Sequence, residues 1–221
     1  MTGYQISIGN VEYFKGLCEE AGLDEETELS LREFISAKNY FAAEDLLTTR
    51  KVEGAMKEVL LKAADLFGNI EVLKEAKALL HNERSLSAIC RLERLYEVLK
   101  IYGMESHVSF DLGLLSKYHY YTGIIFKAYT YGMGDAIVKG GRYDTLLNQF
   151  GKQAPAIGFV IVVDDLLEAL SRQKVAVPVP DSTKVLTYTA ETFPEVIREA
   201  VSLRRQGVSV TVSQKQTGDR T

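Results

Sequence analysis

The stretch most suited to chemistry runs from residue 120 to residue 147, "YYTGIIFKAYTYGMGDAIVKGGRYDTLL". It places five tyrosines and five glycines among β-branched residues. Tyrosine can stack on a small polar ring or exchange a hydrogen bond with it, and glycine lets a ligand approach the backbone closely. The pattern therefore indicates a pocket for a small polar ring. The alternative is that the tyrosines pack across strands and the glycines form bulges or turns.

Other kinds of site find little support in the sequence. Cys18 and Cys90 are the only cysteines, and neither belongs to a CxxC or Cys/His pattern. We therefore expect neither a disulfide framework nor a zinc site. His81, His107 and His119 are scattered along the chain, and no catalytic role is expected for them.

The composition is that of an ordinary globular protein. The 221 residues are 46% hydrophobic and 25% charged, with a formal net charge of −4. Such a charge gives no general attraction for nucleic acid. The sequence has no apolar run long enough to span a membrane and no signal peptide at its start. We expect a cytoplasmic protein.

The first hundred residues contain no proline and are rich in helix formers, so they predict a helical block. A short strand at residues 4–8 comes first, and Asn10 is expected to cap the first helix. Ser85 is expected to cap the last and clearest helix. The predicted helices cover residues 11–22, 26–38, 42–48, 53–67, 70–80 and 85–103.

Strands and turns are predicted after Gly103. Residues 107–115 alternate as a strand with one buried face, and residues 120–131 and 135–139 should form a hairpin through Gly132–Gly134. Asp144 is expected to cap a short helix at 145–149. The apolar run "AIGFVIVV" predicts a strand covered on both faces, followed by a helix over 164–172. The predicted domains are a core (1–9 and 104–173), a helical insertion (10–103), a linker (174–183) and the start of an α/β unit (184–221).

Four stretches together resemble a known family: "QISIGNVEYFKGL", "FDLGLLSKYHYYTGIIFKAYTYG", "GGRYDTLLNQFG" and "APAIGFVIVVDDLL". They resemble the catalytic core of histidyl-tRNA synthetases and, more closely, the synthetase-like regulatory subunit of ATP phosphoribosyltransferase. The resemblance implies an α+β fold: a class II aminoacyl-tRNA synthetase-like, six-stranded antiparallel sheet with flanking helices. The first two class II motifs would precede residue 1, so we expect a fragment that lacks the N-terminal part.

The resemblance also implies a histidine-binding pocket. Tyr121 and Tyr143 match positions that surround the imidazole of bound histidine in the synthetases. Thr122 and Gly123 would shape the wall or only fix a bulge, and Gly140 with Gly141 would let the ligand approach. The groups that hold the amino and carboxylate ends of histidine would lie mainly in the missing part.

The ATP site implied by the resemblance has lost its positive charge. Ser116 and Asp165 match positions where synthetases carry arginine, and Lys127 stands where they usually carry an acid. Near a triphosphate, a lost attraction and an added repulsion are each about 1–4 kcal/mol at roughly 4 Å. We therefore expect no catalytic residue and no cofactor. Asp164 and Asp165 also have a structural explanation, since acids stabilise the start of a helix.

The resulting expectation is a non-catalytic regulatory subunit of ATP phosphoribosyltransferase. It would serve the first step of histidine biosynthesis and its feedback regulation by histidine. Its expected partners are the short-form catalytic subunit, histidine as effector and further copies of the full-length protein, without membrane or nucleic acid. The alternatives are a divergent histidyl-tRNA synthetase and a structural paralogue that senses no amino acid.

Overall fold

A computed structural model describes residues 3–63, 65–115, 120–177 and 183–215. The chain divides into two compact units, Met1–Val175 and Ala176–Thr221. Ser116, one of the two altered ATP-site positions, lies outside the described residues.

A six-stranded sheet forms the centre of the first unit. Its strands are β1 (Tyr4–Asn10), β2 (Phe67–Gly68), β3 (Val108–Asp111), β4 (Ile124–Thr130), β5 (Val138–Arg142) and β6 (Ile157–Ile161). They lie in the order β2-β3-β1-β4-β5-β6. All neighbours pair antiparallel except β1 and β3, which are parallel. The sheet is therefore antiparallel, as predicted, except at this pair, where the helices between β1 and β3 form the crossover that parallel strands require.

Six helices occupy most of the chain between β1 and β3. They are α1 (Val11–Glu20), α2 (Glu25–Ser36), α3 (Tyr40–Thr49), α4 (Gly54–Ala63), α5 (Glu71–Ala78) and α6 (Glu83–Ile101). As predicted, Asn10 caps α1, and its side-chain oxygen accepts a hydrogen bond from the Glu12 amide at 3.1 Å. The helix predicted over 53–67 ends early, since Phe67 and Gly68 form β2 and pair with β3.

The start of α6 corrects another prediction. Asn82 is the N-cap, and its Oδ1 accepts the Ser85 amide at 2.7 Å. Ser85 lies inside the helix, fully buried, and its hydroxyl donates to the Tyr13 carbonyl at 2.7 Å. The serine therefore joins α6 to α1 instead of beginning α6.

The main hydrophobic core lies between the helices and one face of the sheet. Tyr13 and Phe14 of α1 and Leu92 of α6 are fully buried in it with Phe110 of β3. On β3, residues Val108, Ser109 and Phe110 are all buried. The prediction of one buried face for this strand is wrong, because Ser109 on its other face is also buried, with its hydroxyl hydrogen-bonded to that of Ser7.

The apolar strand β6 also differs from its prediction. It lies at the edge of the sheet and is largely exposed: Phe159 is 63% and Val160 65% accessible. The prediction of a strand covered on both faces is therefore wrong for the described chain. The helix that follows, α7 (Val163–Arg172), begins with Asp164 and Asp165 in its first turn.

The second unit shows the predicted strand–helix–strand order. It consists of β7 (Lys184–Tyr188), α8 (Phe193–Arg205) and β8 (Val210–Gln214), with the two strands parallel. A proline in the first turn of α8 suits a position whose amide has no partner within the helix. Within the described ranges of both units, no helix has the length and apolar character needed to cross a bilayer.

Candidate functional site: the tyrosine face of the sheet

The pairing register shows which residues share a face of the sheet. Side chains alternate along a strand, and Ile8, Phe110 and Phe126 point into the helical core. The opposite surface carries Ser7, Gly9, Ser109, Ile125, Lys127 and Gly141, and we call it the tyrosine face. Tyr121 packs there beside Val11, Leu114 and Ile125.

Three tyrosines form a cluster at one end of this face. The ring centres of Tyr120 and Tyr121 are 4.5 Å apart, and those of Tyr120 and Tyr143 are 5.9 Å apart in an edge-to-face arrangement. The Tyr120 hydroxyl donates to the Tyr121 hydroxyl at 3.3 Å. The structure thus brings the two predicted imidazole-binding tyrosines together through a third, Tyr120.

Glycines make room for two of these rings. A Cβ atom on Gly141 would lie 2.7 Å from the Tyr121 ring and 2.8 Å from the Ile124 carbonyl oxygen. A Cβ atom on Gly158 would lie 2.6 Å from the Tyr143 hydroxyl. The space that the missing side chains leave is therefore filled by tyrosine rather than left open to a ligand.

Gly140, another predicted site residue, belongs to the opposite face. It pairs with Phe126 and Phe159, and a Cβ atom there would lie 2.6 Å from the Phe159 Cβ. The two phenylalanine rings meet across it with centres 6.5 Å apart. The structure therefore does not bring Gly140 together with the tyrosine cluster.

Thr122 and Gly123 connect the tyrosine cluster to β5 and to the first residue of α1. The Thr122 amide donates to the Arg142 carbonyl at 2.9 Å, and the Gly123 carbonyl accepts the Val11 amide at 3.0 Å. Both residues line a cavity of about 650 Å³. Arg142, the capping residue Asn10 and part of α6 line the same cavity. Tyr121 and Tyr143 do not line this cavity.

Asp144 holds the end of β5 in place, and this corrects its predicted role. Its carboxylate accepts hydrogen bonds from Arg142 Nε at 2.8 Å and from the Ala156 amide at 3.2 Å. Thr145 takes the capping position of the 3₁₀ helix Leu146–Phe150, without a side-chain cap. The Arg142 guanidinium is the main reason that the pKa of Asp144 lies below its usual range.

Sequence analysis missed the polar half of the tyrosine face. Lys127 pairs with Ser7 of β1 and Lys139 of β5. The Ser7 and Ser109 hydroxyls are hydrogen-bonded at 3.1 Å, and both residues are buried. The period-two alternation of β4 could have revealed this surface, because it puts Lys127 on the same side as Ile125 and Tyr129.

Asp111 supplies a negative charge near the same surface. Burial raises the pKa of its carboxyl, while Lys38, Lys127 and two backbone amides act in the opposite direction. Burial is also the main cause of the raised pKa of Tyr129, and Asp111 adds to it. Asp111 therefore interacts electrostatically with both Lys127 and Tyr129.

Asp165 lies in the first turn of α7, partly exposed. The helix has one arginine, Arg172 in its last turn, and Arg172 forms an ion pair with Glu168. Residue 172 lies seven positions after residue 165, which corresponds to a rise of about 10 Å along the helix. Across the described residues, no group of acids, histidines and cysteines could hold a metal ion.

Comparison with known proteins shows which family shares this architecture. A family model described as histidyl-tRNA synthetase matches residues 1–166. The curated sequence of the ATP phosphoribosyltransferase regulatory subunit of Acetivibrio thermocellus is 38% identical over 212 residues, which are 96% of this chain and 51% of that protein. The corresponding protein of Clostridium kluyveri is 37% identical over 215 residues, which are 96% of this chain and 55% of that protein.

A solved structure from Bacillus halodurans is also similar. It is described as an ATP phosphoribosyltransferase regulatory subunit/histidyl-tRNA synthetase and is 30% identical, with a TM-score of 0.72. The match covers 100% of this chain and 56% of that one. The chain thus spans about half the length of the relatives it matches. These matches confirm the predicted class II synthetase-like fold and the resemblance to the regulatory subunit. By its sequence and its sheet, the chain belongs to the histidyl-tRNA synthetase family.

Proposed function

We propose that the chain is part of a non-catalytic regulatory subunit of ATP phosphoribosyltransferase that acts in histidine biosynthesis. The observation that supports this most strongly is similarity over 96% of the chain to relatives named as that subunit. A subunit of this kind works by joining the catalytic subunit, so we propose that enzyme as its partner. The complete protein would also self-associate and be cytoplasmic.

The start of α7 supports the non-catalytic part of the proposal. Amino-acid activation develops negative charge on phosphate, which a synthetase must stabilise with fixed positive charge. Position 165 offers a carboxylate instead, and the one arginine of α7 lies about 10 Å further along the helix and is already paired. Because an anion here repels triphosphate, we propose that the site does not form an adenylate.

The tyrosine cluster supports a histidine-binding role. Tyr121 and Tyr143 present rings and hydroxyls at one end of the sheet, and an imidazole can stack on the former and hydrogen-bond with the latter. Thr122, Gly123 and Gly141 would shape the site by fixing the position of these rings. Histidine would regulate activity by binding one arrangement of the assembly better than another.

Calorimetric titration of the full-length subunit with histidine tests this site. We expect binding to the wild type and a loss of at least tenfold in affinity in a Tyr121→Ala, Tyr143→Ala double variant. Tyr131→Ala is the matched control, because Tyr131 is 80% exposed and lies outside the cluster. Circular dichroism would check that each variant is folded. An unchanged affinity in the double variant would contradict the proposed site.

Two activity assays test the wider proposal. The chain should raise the activity of the short-form catalytic subunit, and histidine should reduce that effect. It should also show no histidine-dependent exchange of pyrophosphate into ATP. Such exchange would instead establish a divergent histidyl-tRNA synthetase, and activation without any response to histidine would indicate a structural paralogue.

A further inference from the structure

The cavity of about 650 Å³ next to Thr122 and Gly123 contains several charged side chains that the proposed histidine site does not use. Three arginines line it: Arg84 and Arg91 on α6, and Arg142 at the end of β5. Cavities of about 300–1,000 Å³ are typical of small-molecule sites. Whether this one suits an anion depends on how far the protein's own carboxylates already occupy each arginine.

Arg84 is fully engaged by acids of the protein. Its Nε donates to the Glu12 carboxylate at 2.7 Å, and its terminal nitrogens form ion pairs with Glu12 and Glu19. Glu12 also lines the cavity, and this pairing neutralises it. Arg84 and Glu12 therefore add little net charge to the cavity.

Arg142 is held in place with part of its hydrogen-bonding capacity unused. Its stem lies over Gly123, where an added Cβ atom would be 3.5 Å from the Arg142 Cδ. Its Nε donates to Asp144 at 2.8 Å, and within the described chain its two terminal amino groups form no hydrogen bond. A guanidinium that is already oriented loses little conformational freedom when it binds an anion.

Arg91 lines the cavity from a different element, α6. It is exposed, and no ion pair or hydrogen bond joins it to another residue of the described ranges. The Ala88 carbonyl, three residues before it, accepts the Asn10 side-chain amide at 3.4 Å. The residue after Asn10 donates its own amide to the Gly123 carbonyl at 3.0 Å. Because Arg142 lies over Gly123, the two arginines are within reach of the same part of the cavity.

Other polar groups of the cavity limit what a ligand can be. The Thr122 hydroxyl accepts the Asp144 amide at 3.0 Å, which leaves its own hydrogen available to a ligand. Glu83, at the first residue of α6, brings a negative charge. Arg91 lies eight positions after Glu83, a rise of about 12 Å along the helix. The cavity is therefore positive beside Arg91 and negative further back along α6.

We propose that this cavity binds the phosphate group of a small organic molecule between Arg91 and Arg142. A phosphate carries a charge of about −1.5 to −2 at pH 7 and three acceptor oxygens, so both guanidiniums and Thr122 can donate to it together. A carboxylate has two oxygens, which a single guanidinium already satisfies. The charge of Glu83 favours hydroxyl or amino groups on the rest of the ligand. This site is separate from the proposed histidine site and does not depend on it.

Calorimetric titration of the full-length protein with inorganic phosphate tests the proposal. Phosphate should bind at least about tenfold more tightly than acetate, because it can accept hydrogen bonds from both arginines. Arg91→Gln and Arg142→Gln should each weaken phosphate binding at least about fivefold, since each removes a charge-assisted hydrogen bond.

Arg94→Gln is the matched control. It removes an exposed arginine from the same helix, three residues beyond Arg91, at a position that does not line the cavity. Its phosphate affinity should stay within about twofold of the wild type, because an exposed charge at a distance contributes little. Circular dichroism would check that the variants are folded, and Arg91→Gln, at an exposed residue, provides the test if Arg142→Gln disturbs β5.

Three results would overturn the site. The first is a wild type that binds no phosphate, whatever its affinity for histidine. The second is an equal loss in Arg91→Gln and Arg94→Gln, which would mean that phosphate responds only to the surface charge of α6. The third is a phosphate affinity that Arg91→Gln leaves unchanged. Acetate that binds as tightly as phosphate would overturn the assignment of a phosphate ligand.

Discussion

At the scale of single residues, the glycines of this protein position tyrosines. Gly141 and Gly158 lie side by side on β5 and β6, each with a tyrosine where a side chain would be. The sequence indicated that tyrosine and glycine act together, but it could not show that the glycine space is filled by the protein's own rings. That distinction depends on which strand faces which, and thus on the sheet register.

Gly141→Ala tests this packing. The added methyl group would overlap the Tyr121 ring and the Ile124 carbonyl, so we expect a loss of about 1–3 kcal/mol in the free energy of unfolding. Urea denaturation measures it. Gly134→Ala is the control, because no heavy atom lies within 4 Å of the added carbon, and its effect should stay within about 0.5 kcal/mol. Equal stability of the two variants would contradict the packing.

The pair of Arg142 and Asp144 gives a pH-dependent prediction. The pKa of Asp144 is lowered chiefly by Arg142, so Arg142→Gln should raise it toward the ordinary value of about 3.9. At a pH above the ordinary pKa of the carboxyl, the ion pair stabilises the fold. This contribution is lost as the pH falls through the lowered pKa of the folded state. Carbon-13 NMR titration of the carboxyl would follow the change. Arg91→Gln, at a residue with no described ion pair, should leave the pKa of Asp144 unchanged.

Lys127 and Asp111 give a second prediction of the same kind. Lys127 lowers the pKa of Asp111 against the larger effect of burial. Lys127→Met should therefore raise that pKa further, and the protonated form of Asp111 should persist to higher pH. The measurement is an NMR titration of the carboxyl, with Lys139→Met as control. A pKa that does not move would contradict the electrostatic interaction between Lys127 and Asp111.

At the scale of elements, periodicity predicted the helices and strands well and their ends less well. The helix over 85–103 was predicted from its apolar spacing, but Asn82 caps it instead of Ser85. Asn and Ser are both good capping residues, so local sequence could not decide between them. The two-residue strand β2 was missed because it is too short for any periodic pattern.

Asn82→Ala separates the two possible caps. Removing the acceptor for the Ser85 amide should cost about 0.5–2 kcal/mol in the free energy of unfolding. Asn82→Ser keeps an acceptor at the same position and should recover most of this loss. Chemical denaturation of both variants gives the answer. A neutral Asn82→Ala would mean that α6 does not need this cap.

At the scale of the whole molecule, β6 shows what the sequence could not reveal. Its apolar run suits a strand covered on both faces, yet here it is an exposed edge. Burial depends on everything that surrounds a strand, and this chain spans about half the length of its relatives. The sequence of one segment therefore predicts how apolar the segment is, but not what covers it.

The exposed edge has a measurable effect. An apolar edge strand with unpaired backbone groups favours association between molecules. We expect Val160→Lys to reduce the self-association of the chain at high concentration, because a charge on an edge strand opposes such pairing. Analytical ultracentrifugation over a concentration series would measure it, and Thr187→Lys in the separate strand β7 should have no such effect.

The place of β1 in the sheet has a consequence for how the chain acquires its structure. Although β1 precedes the other described strands along the chain, it lies in the middle of the sheet, and its contact between Ser7 and Ser109 joins residues 102 positions apart. Its other neighbour, β4, comes later still. Until both have been synthesised, β1 lacks its two neighbours in this sheet, and closing loops of this length slows folding. The helices between β1 and β3 are therefore synthesised before β3 and β4, and part of their apolar surface stays exposed until those strands complete the sheet.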